Sequence, residues 1–355
     1  MIILWAVRMT TRKNKQGFQQ FGRIIPNLSL PDFKVGFTWR GADLQTLRNS
    51  LRPPRRPKAA DYERVSFDLG AGRCLKAALH RSEKADILPL IIVIHGMAGD
   101  ELSANVVSAA AYFGACGFPV LRLNLRGAGP SAKTSIGPYH GGLTEDLAAV
   151  VEQLASRAYG KGIVLYGISL GANMMLKYLG EQGVDAPIKA AVAVSAPLSL
   201  KSVQLCLMSP RNKLYHNYLL LGMKNYVRQM TGKHDQTLRD KALAAKSLYE
   251  FDDDFTAPAH GMSGAEEYYR LQSAEGFVDR IARPTLIIHA KNDPWIDVEA
   301  YYKRPWLESG HISFLITDDG GHVGFHTKNH KVPWQERVAV QYIERELQID
   351  GELVS

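Results

Sequence analysis

The sequence predicts an α/β fold, a mostly parallel central sheet with flanking helices, and three observations carry that expectation. Short continuous apolar runs recur at residues 90–94 (LIIVI), 120–125 (VLRLNL), 163–166 (IVLY), 190–194 (AAVAV), 285–290 (TLIIHA) and 312–317 (ISFLIT). Strands covered on both faces read this way because neither side meets water. Helical periodicity fills intervals at about 103–115, 143–158, 170–182 and 334–347, which supplies the crossovers that parallel strands require. The third observation is a Gly-x-Ser-x-Gly placed where the run IVLY gives way to a helical stretch.

Taken in chain order, the opening MIILWAVRMTTRKNK puts its apolar residues before its charges, the reverse of a secretory signal, and has no small-residue cleavage site. It is too short to span a bilayer, and Met9 is an alternative start. Residues 48–60, RNSLRPPRRPKAA, concentrate Pro and Arg and read as an extended linker. The expected division is a basic leader with its linker over 1–60 and an α/β domain over 61–355. That domain starts with YERVSFDL and RCLKAALH, an antiparallel hairpin turning at Gly70-Ala71-Gly72. The gap from about 197 to 283 is too long for a plain loop and is rich in Leu, Met and Tyr. It is expected to be a helical lid insertion over one end of the sheet.

Charge is divided as sharply as structure. The 43 Lys and Arg exceed the 35 Asp and Glu by eight over the whole chain. Residues 1–60 hold twelve Lys and Arg against Asp32 and Asp43, a net +10, which leaves a net −2 on residues 61–355. A polyanion-binding body is therefore not expected, and no nucleic-acid recognition motif accompanies the leader charge. For the leader two expectations stand side by side: basic residues that are solvated charge or cover the sheet edge, or contact with an anionic membrane. Cys74, Cys116 and Cys206 are an odd number without metal spacing, as expected of free thiols in a cytoplasmic protein. Gly127-Ala128-Gly129 lacks the rest of a dinucleotide fingerprint, and neither a Walker loop nor a Cys/His cluster occurs, so no cofactor or metal is expected.

The chemistry is expected at Gly167-Ile168-Ser169-Leu170-Gly171. Glycines at 167 and 171 permit a tight strand-to-helix turn that lifts the Ser169 hydroxyl above the sheet, a nucleophile elbow. Serine needs a base and an orienting acid, which in this arrangement follow in the order acid, then histidine. Asp293, in Asn292-Asp293-Pro294, lies just past the run TLIIHA, and His322, in Gly320-Gly321-His322-Val323-Gly324, lies past ISFLIT. Asp297, Asp318 and Asp319 are alternative acids. His289, His311, His326 and His330 are less well placed bases. The oxyanion donors are expected to be the backbone N–H groups of Leu170 and of Met97 in the loop His95-Gly96-Met97-Ala98-Gly99-Asp100. His95 and Arg126 are candidates for lining the pocket. His95 also opens a His-x4-Asp pattern with Asp100 similar to an acyltransferase signature.

These residues resemble the YheT-type esterases of the α/β-hydrolase superfamily, a group related to eukaryotic lipid-active hydrolases. The likeness runs from about Phe33 onward. It includes Leu44-Gln45-Thr46-Leu47, His95-Gly96, Asn124-Leu125-Arg126-Gly127, Gly167 to Asn173, Phe251-Asp252 with Phe255-Thr256-Ala257-Pro258, Tyr268-Tyr269, and both loops that carry Asp293 and His322. The resemblance implies an α/β-hydrolase fold and a serine hydrolase with Ser169, Asp293 and His322 as triad, acting on carboxylic esters such as acylglycerols or other lipids. One departure is Asp43, where the group commonly has histidine. Acyl transfer on the same triad and a non-catalytic binding protein on this scaffold are the alternatives.

Overall fold

Nine strands form one sheet in the computed structural model, which describes residues 17–25, 30–135, 137–157, 159–230, 235–302 and 310–354. The strands are β1 (Phe18–Gly22), β2 (Glu63–Asp68), β3 (Cys74–His80), β4 (Leu90–Ile94), β5 (Val120–Leu123), β6 (Ile163–Ile168), β7 (Ala190–Val194), β8 (Thr285–Ala290) and β9 (Ile312–Thr317). Their order across the sheet is β1-β9-β8-β7-β6-β4-β5-β3-β2. From β5 to β9 all neighbours are parallel, while β1, β2 and β3 are antiparallel additions at the two edges. The six buried runs read from sequence are all strands, and the hairpin is β2 and β3.

The helices are α1 (Ala42–Leu51), α2 (Ala104–Ala115), α3 (Thr144–Ala155), α4 (Leu170–Gln182), α5 (Leu200–Leu207), α6 (Lys213–Gln229), α7 (Gln236–Ala244), α8 (Leu248–Phe251), α9 (Ala265–Gln272), α10 (Glu299–Tyr302) and α11 (Trp334–Glu346). Alternation along β4 divides the core. Leu90, Ile92 and Ile94 face the layer that contains α3, α4 and the helices of the 197–283 stretch. Ile91 and Val93 face α2 and α11. The chain steps from β4 to β5 on one side and then returns to place β6 on the other, so a crevice opens at the carboxyl ends of β4 and β6. Ligands of open α/β sheets bind at such reversals.

The leader is woven into this body. β1 pairs with β9, stacking Phe21 on Phe314 with ring centroids 4.7 Å apart, and Phe18 lies 5.4 Å from Trp334. Arg23 forms a two-pronged pair with Glu346 at 2.8 and 3.0 Å. The sequence reading placed no strand in the leader, because Phe-Gln-Gln-Phe-Gly lacks both alternation and β-branched residues and owes its conformation to β9. The apolar start MIILWAVRMTTRKNK lies outside the described residues. Among the described residues, no helix is long and apolar enough to cross a membrane.

Candidate active site

The elbow forms where β6 ends. Ser169 has φ 51° and ψ −120°, a strained backbone that the flanking packing enforces. Its N–H is anchored to the Val194 carbonyl of β7 at 2.9 Å. A Cβ on residue 167 would lie 2.6 Å from the Ala172 Cα, and one on residue 171 would lie 2.4 Å from the His95 carbonyl oxygen. Glycine at both positions is thus a packing requirement: helix α4 starts hard against β6 and the loop after β4. The N-terminus of α4 then points its dipole at the Ser169 hydroxyl.

Two loops at the same sheet edge deliver the partners. His322 Nε2 is 2.8 Å from Ser169 Oγ, and His322 Nδ1 is 2.8 Å from Asp293 Oδ2. The other carboxylate oxygen of Asp293 accepts the backbone N–H groups of Trp295 at 2.8 Å and Ile296 at 3.1 Å. Burial pushes the Asp293 carboxyl up, yet the charge and hydrogen bond of His322, aided by His289 and the Trp295 amide, bring it below the ordinary aspartate range. Asp293 is therefore ionised at neutral pH and keeps Nδ1 of His322 protonated, which leaves Nε2 to accept from the serine. The Trp295 ring packs against the imidazole, with centroids 4.1 Å apart.

The rival residues have other work. Asp297 caps a turn through the Glu299 N–H, Asp318 pairs with Lys291, and Asp319 accepts from Gly41, Asn292 and Gly320. His289 is buried within β8, 3.9 Å from Asp293 Oδ2, and burial lowers its pKa to about 4, so it is neutral behind the acid. His326 is buried below the histidine loop, while His311 and His330 lie on the surface.

Met97 and Leu170 both border the space above Ser169. Among the described residues neither backbone N–H donates to a protein acceptor. The other two pocket candidates are corrected. His95 is fully buried beneath the loop, its Nδ1 bonded to the Gly96 carbonyl at 2.8 Å and its Nε2 accepting the Leu125 N–H at 3.1 Å. Both ring nitrogens are spent on shaping the loop. Arg126 is held by Asp146 in a buried two-pronged pair at 2.9 and 2.5 Å and does not reach the pocket.

Several positioning residues escaped the sequence reading. Thr46 of α1 donates its hydroxyl to the Ala42 carbonyl and accepts the His322 N–H at 2.9 Å. Gln45 beside it is fully buried and bonds both the N–H and the carbonyl of His326. A Cβ on residue 321, where φ is 58°, would lie 2.4 Å from the Ala42 carbonyl oxygen, so the leader helix and the histidine loop are fitted to one another. Asn292 accepts the Gly321 N–H, Ser195 accepts the Val323 N–H, and Asn173 of α4 binds Gly141, Gln272 and Ala274. The signal available was the polar pair Gln45-Thr46 between Leu44 and Leu47 of the leader, but the partner of Thr46 lies 276 residues away in sequence.

Two spaces meet at Ser169. One is a narrow slot of about 40 Å³ under α5 and α8, walled by Leu200, Val203, Leu207, Leu219 and Ile296. It contains one end of Asp252, whose carboxyl accepts from Tyr269 at 2.8 Å and is pushed up by burial to about 6. The other is a groove of about 990 Å³ between α1 and α6, open to solvent and bordered by polar groups of Thr46, Asn49, Ser103 and Tyr215. Asp43 crosses its mouth, accepting from Arg211 through both oxygens at 2.9 Å and from the Tyr215 hydroxyl at 2.8 Å.

Comparison with known proteins agrees with this architecture. Residues 89–329 match the family described as alpha/beta hydrolase fold. The chain is 35% identical to the esterase-named YheT protein of Escherichia coli (strain K12), over 67% of this chain and 70% of that one. It is 28% identical to a monoacylglycerol lipase of Saccharomyces cerevisiae, over 68% of this chain and 55% of the relative. The solved esterase Pf2001 of Pyrococcus furiosus shares the fold, with a TM-score of 0.54 and 18% identity over 81% of this chain and 96% of that one. The chain thus belongs to the α/β-hydrolase family, among its YheT-type carboxylic ester hydrolases.

Proposed function

We propose that Ser169, His322 and Asp293 act as a catalytic triad that cleaves carboxylic esters through an acyl-enzyme. The observation that carries this reading is the continuous chain of two 2.8 Å hydrogen bonds from Ser169 through His322 to Asp293. His322 Nε2 takes the serine proton as Oγ bonds to the ester carbonyl carbon. Asp293 balances the imidazolium, and the Met97 and Leu170 N–H groups receive the negative charge that develops on the carbonyl oxygen. His322 then gives its proton to the departing alcohol as the ester C–O bond breaks. A water, deprotonated by the same nitrogen, releases the acid and restores Ser169.

The two spaces at Ser169 suit the two halves of an ester. The acyl part stays attached after the first step and belongs in the closed apolar slot. The alcohol leaves first and belongs in the open groove. The apolar lining of the slot and similarity to a monoacylglycerol lipase support esters with an apolar acyl group, acylglycerols included, as the substrate class, and the small slot favours short acyl groups.

The test is turnover of p-nitrophenyl butyrate combined with fluorophosphonate labelling. Ser169→Ala is expected to lower kcat by about a millionfold and to abolish labelling at that position. Wild-type turnover in Ser169→Ala would refute the assignment.

A further inference from the structure

The mouth of the groove carries an apolar surface that is uncovered among the described residues. Helix α6 buries Leu219, Leu220, Met223, Tyr226 and Val227 on its inner side. Its outer side presents Leu214 at 85% exposure, Tyr218 at 70% and Leu221 at 55%, spaced four and three residues apart on one helical stripe. Across the groove, α1 presents Leu44, Leu47 and Leu51, spaced three and four apart, with Leu51 62% exposed. The two stripes form one rim. Leu47, Leu214 and Tyr218 all line the groove, and Asp43 of α1 joins α6 through Tyr215 and the turn before α6 through Arg211.

A helix that is apolar on both sides is stable in water only when both sides are covered. Contiguous exposed apolar surface of this kind marks a site of contact with another phase or molecule. The charge around the rim identifies which. Residues 44–60 contain Arg48, Arg52, Arg55, Arg56 and Lys58 and no acid. Residues 200–230 contain Arg211, Lys213, Lys224 and Arg228 and no acid, besides Lys201, whose charge is met by Glu266 of α9. Asp43, the acid that stands between the two segments, is already engaged by Arg211.

We propose that the α1–α6 rim docks on a lipid surface bearing anionic headgroups, with the groove that leads to Ser169 opening toward it. Leucines and a tyrosine enter the boundary between headgroups and acyl chains, and the surrounding Arg and Lys meet the phosphates. This is the arrangement of an amphipathic helix lying in a membrane interface. Each basic side chain held near such a surface strengthens binding about fivefold, an effect that added salt removes. The proposal rests on the ester-hydrolase reading only for its purpose, because the docking surface does not include the triad.

Cosedimentation of the full chain carrying Ser169→Ala with vesicles of phosphatidylcholine, with or without phosphatidylglycerol, measures docking independently of catalysis. Binding is expected only where phosphatidylglycerol is present and is expected to weaken as salt is raised. The double variant Leu51→Asp/Leu221→Asp changes two exposed side chains outside the groove wall and is expected to lower the partition coefficient at least about tenfold. In a chain retaining Ser169, the same pair of changes should leave hydrolysis of a water-soluble ester near the wild-type rate. Equal binding to both vesicle types, no binding to either, or binding unaffected by the double variant would overturn the proposal. So would sedimentation velocity showing a dimer that Leu51→Asp/Leu221→Asp splits while vesicle binding persists, since the rim would then be an interface between two copies.

Discussion

Thr46 shows how a single hydroxyl ties the first part of the chain to the chemistry. It receives the N–H of His322, a residue that is itself buried. Thr46→Val keeps the shape and removes the acceptor, a loss of about 1–3 kcal/mol to an unsatisfied donor. The imidazole is then less firmly placed between Ser169 and Asp293. We expect kcat for p-nitrophenyl butyrate to fall about tenfold with little change in KM, and Thr46→Ser to restore it. Ser169, His322 and Asp293 themselves were legible in the sequence, since each follows a buried apolar run and so reaches the same sheet edge. Thr46 was not, because its meaning depends on a contact that no local pattern announces. His95 and Arg126 illustrate the converse: both lie in the correct loops, but local sequence does not reveal that their polar atoms are consumed by Leu125, Gly96 and Asp146.

At the scale of elements, the parallel strands were readable because burial on both faces leaves an unbroken apolar run, and the helices because one face alternates with three- and four-residue spacing. The edge strand β1 has neither mark and exists through its pairing with β9. The 197–283 stretch was readable as helical from its length and its Leu and Tyr content, but the position of each helix over Ser169 follows from tertiary packing. Helix α5 walls the slot beside Ser169 with Leu207, which is 1% exposed. Leu207→Ala should widen the slot and move the preferred p-nitrophenyl ester toward longer acyl chains, while costing about 2–5 kcal/mol in stability. A chain-length series and a urea melt on the same protein check both halves of this expectation. An unchanged optimum would place the acyl group elsewhere.

For the whole molecule, the division of charge is also a division of work. The nearly neutral body builds the sheet and the catalytic edge, and the basic segment supplies one wall of the groove. A second global property is pH dependence. Glu336 of α11 is fully buried beside Ser108 of α2, whose hydroxyl it accepts at 3.1 Å, and burial raises its pKa to about 8. The folded state therefore keeps a proton that the unfolded chain gives up near the ordinary glutamate value of about 4.3. Between these values the folded state binds more protons, so stability falls as pH rises through this window. Glu336→Gln, which can still accept from Ser108, should remove that slope and be more stable than wild type at pH 8, with little difference at pH 4. Urea melts at the two pH values decide it.

The pairing of β1 with β9 has a consequence for synthesis. Phe18 meets Thr317, so the first strand of the sheet emerges about 300 residues before its partner, roughly 15 to 60 s at ordinary elongation rates. Throughout that interval Phe18, Phe21 and the Arg-rich stretch behind them have no sheet edge to join, and Thr46 has no His322 loop to hold. The nascent chain thus carries these residues unpaired until the segment that forms β9 has been made. The bond between Thr46 and His322 forms only when segments 276 residues apart have found each other.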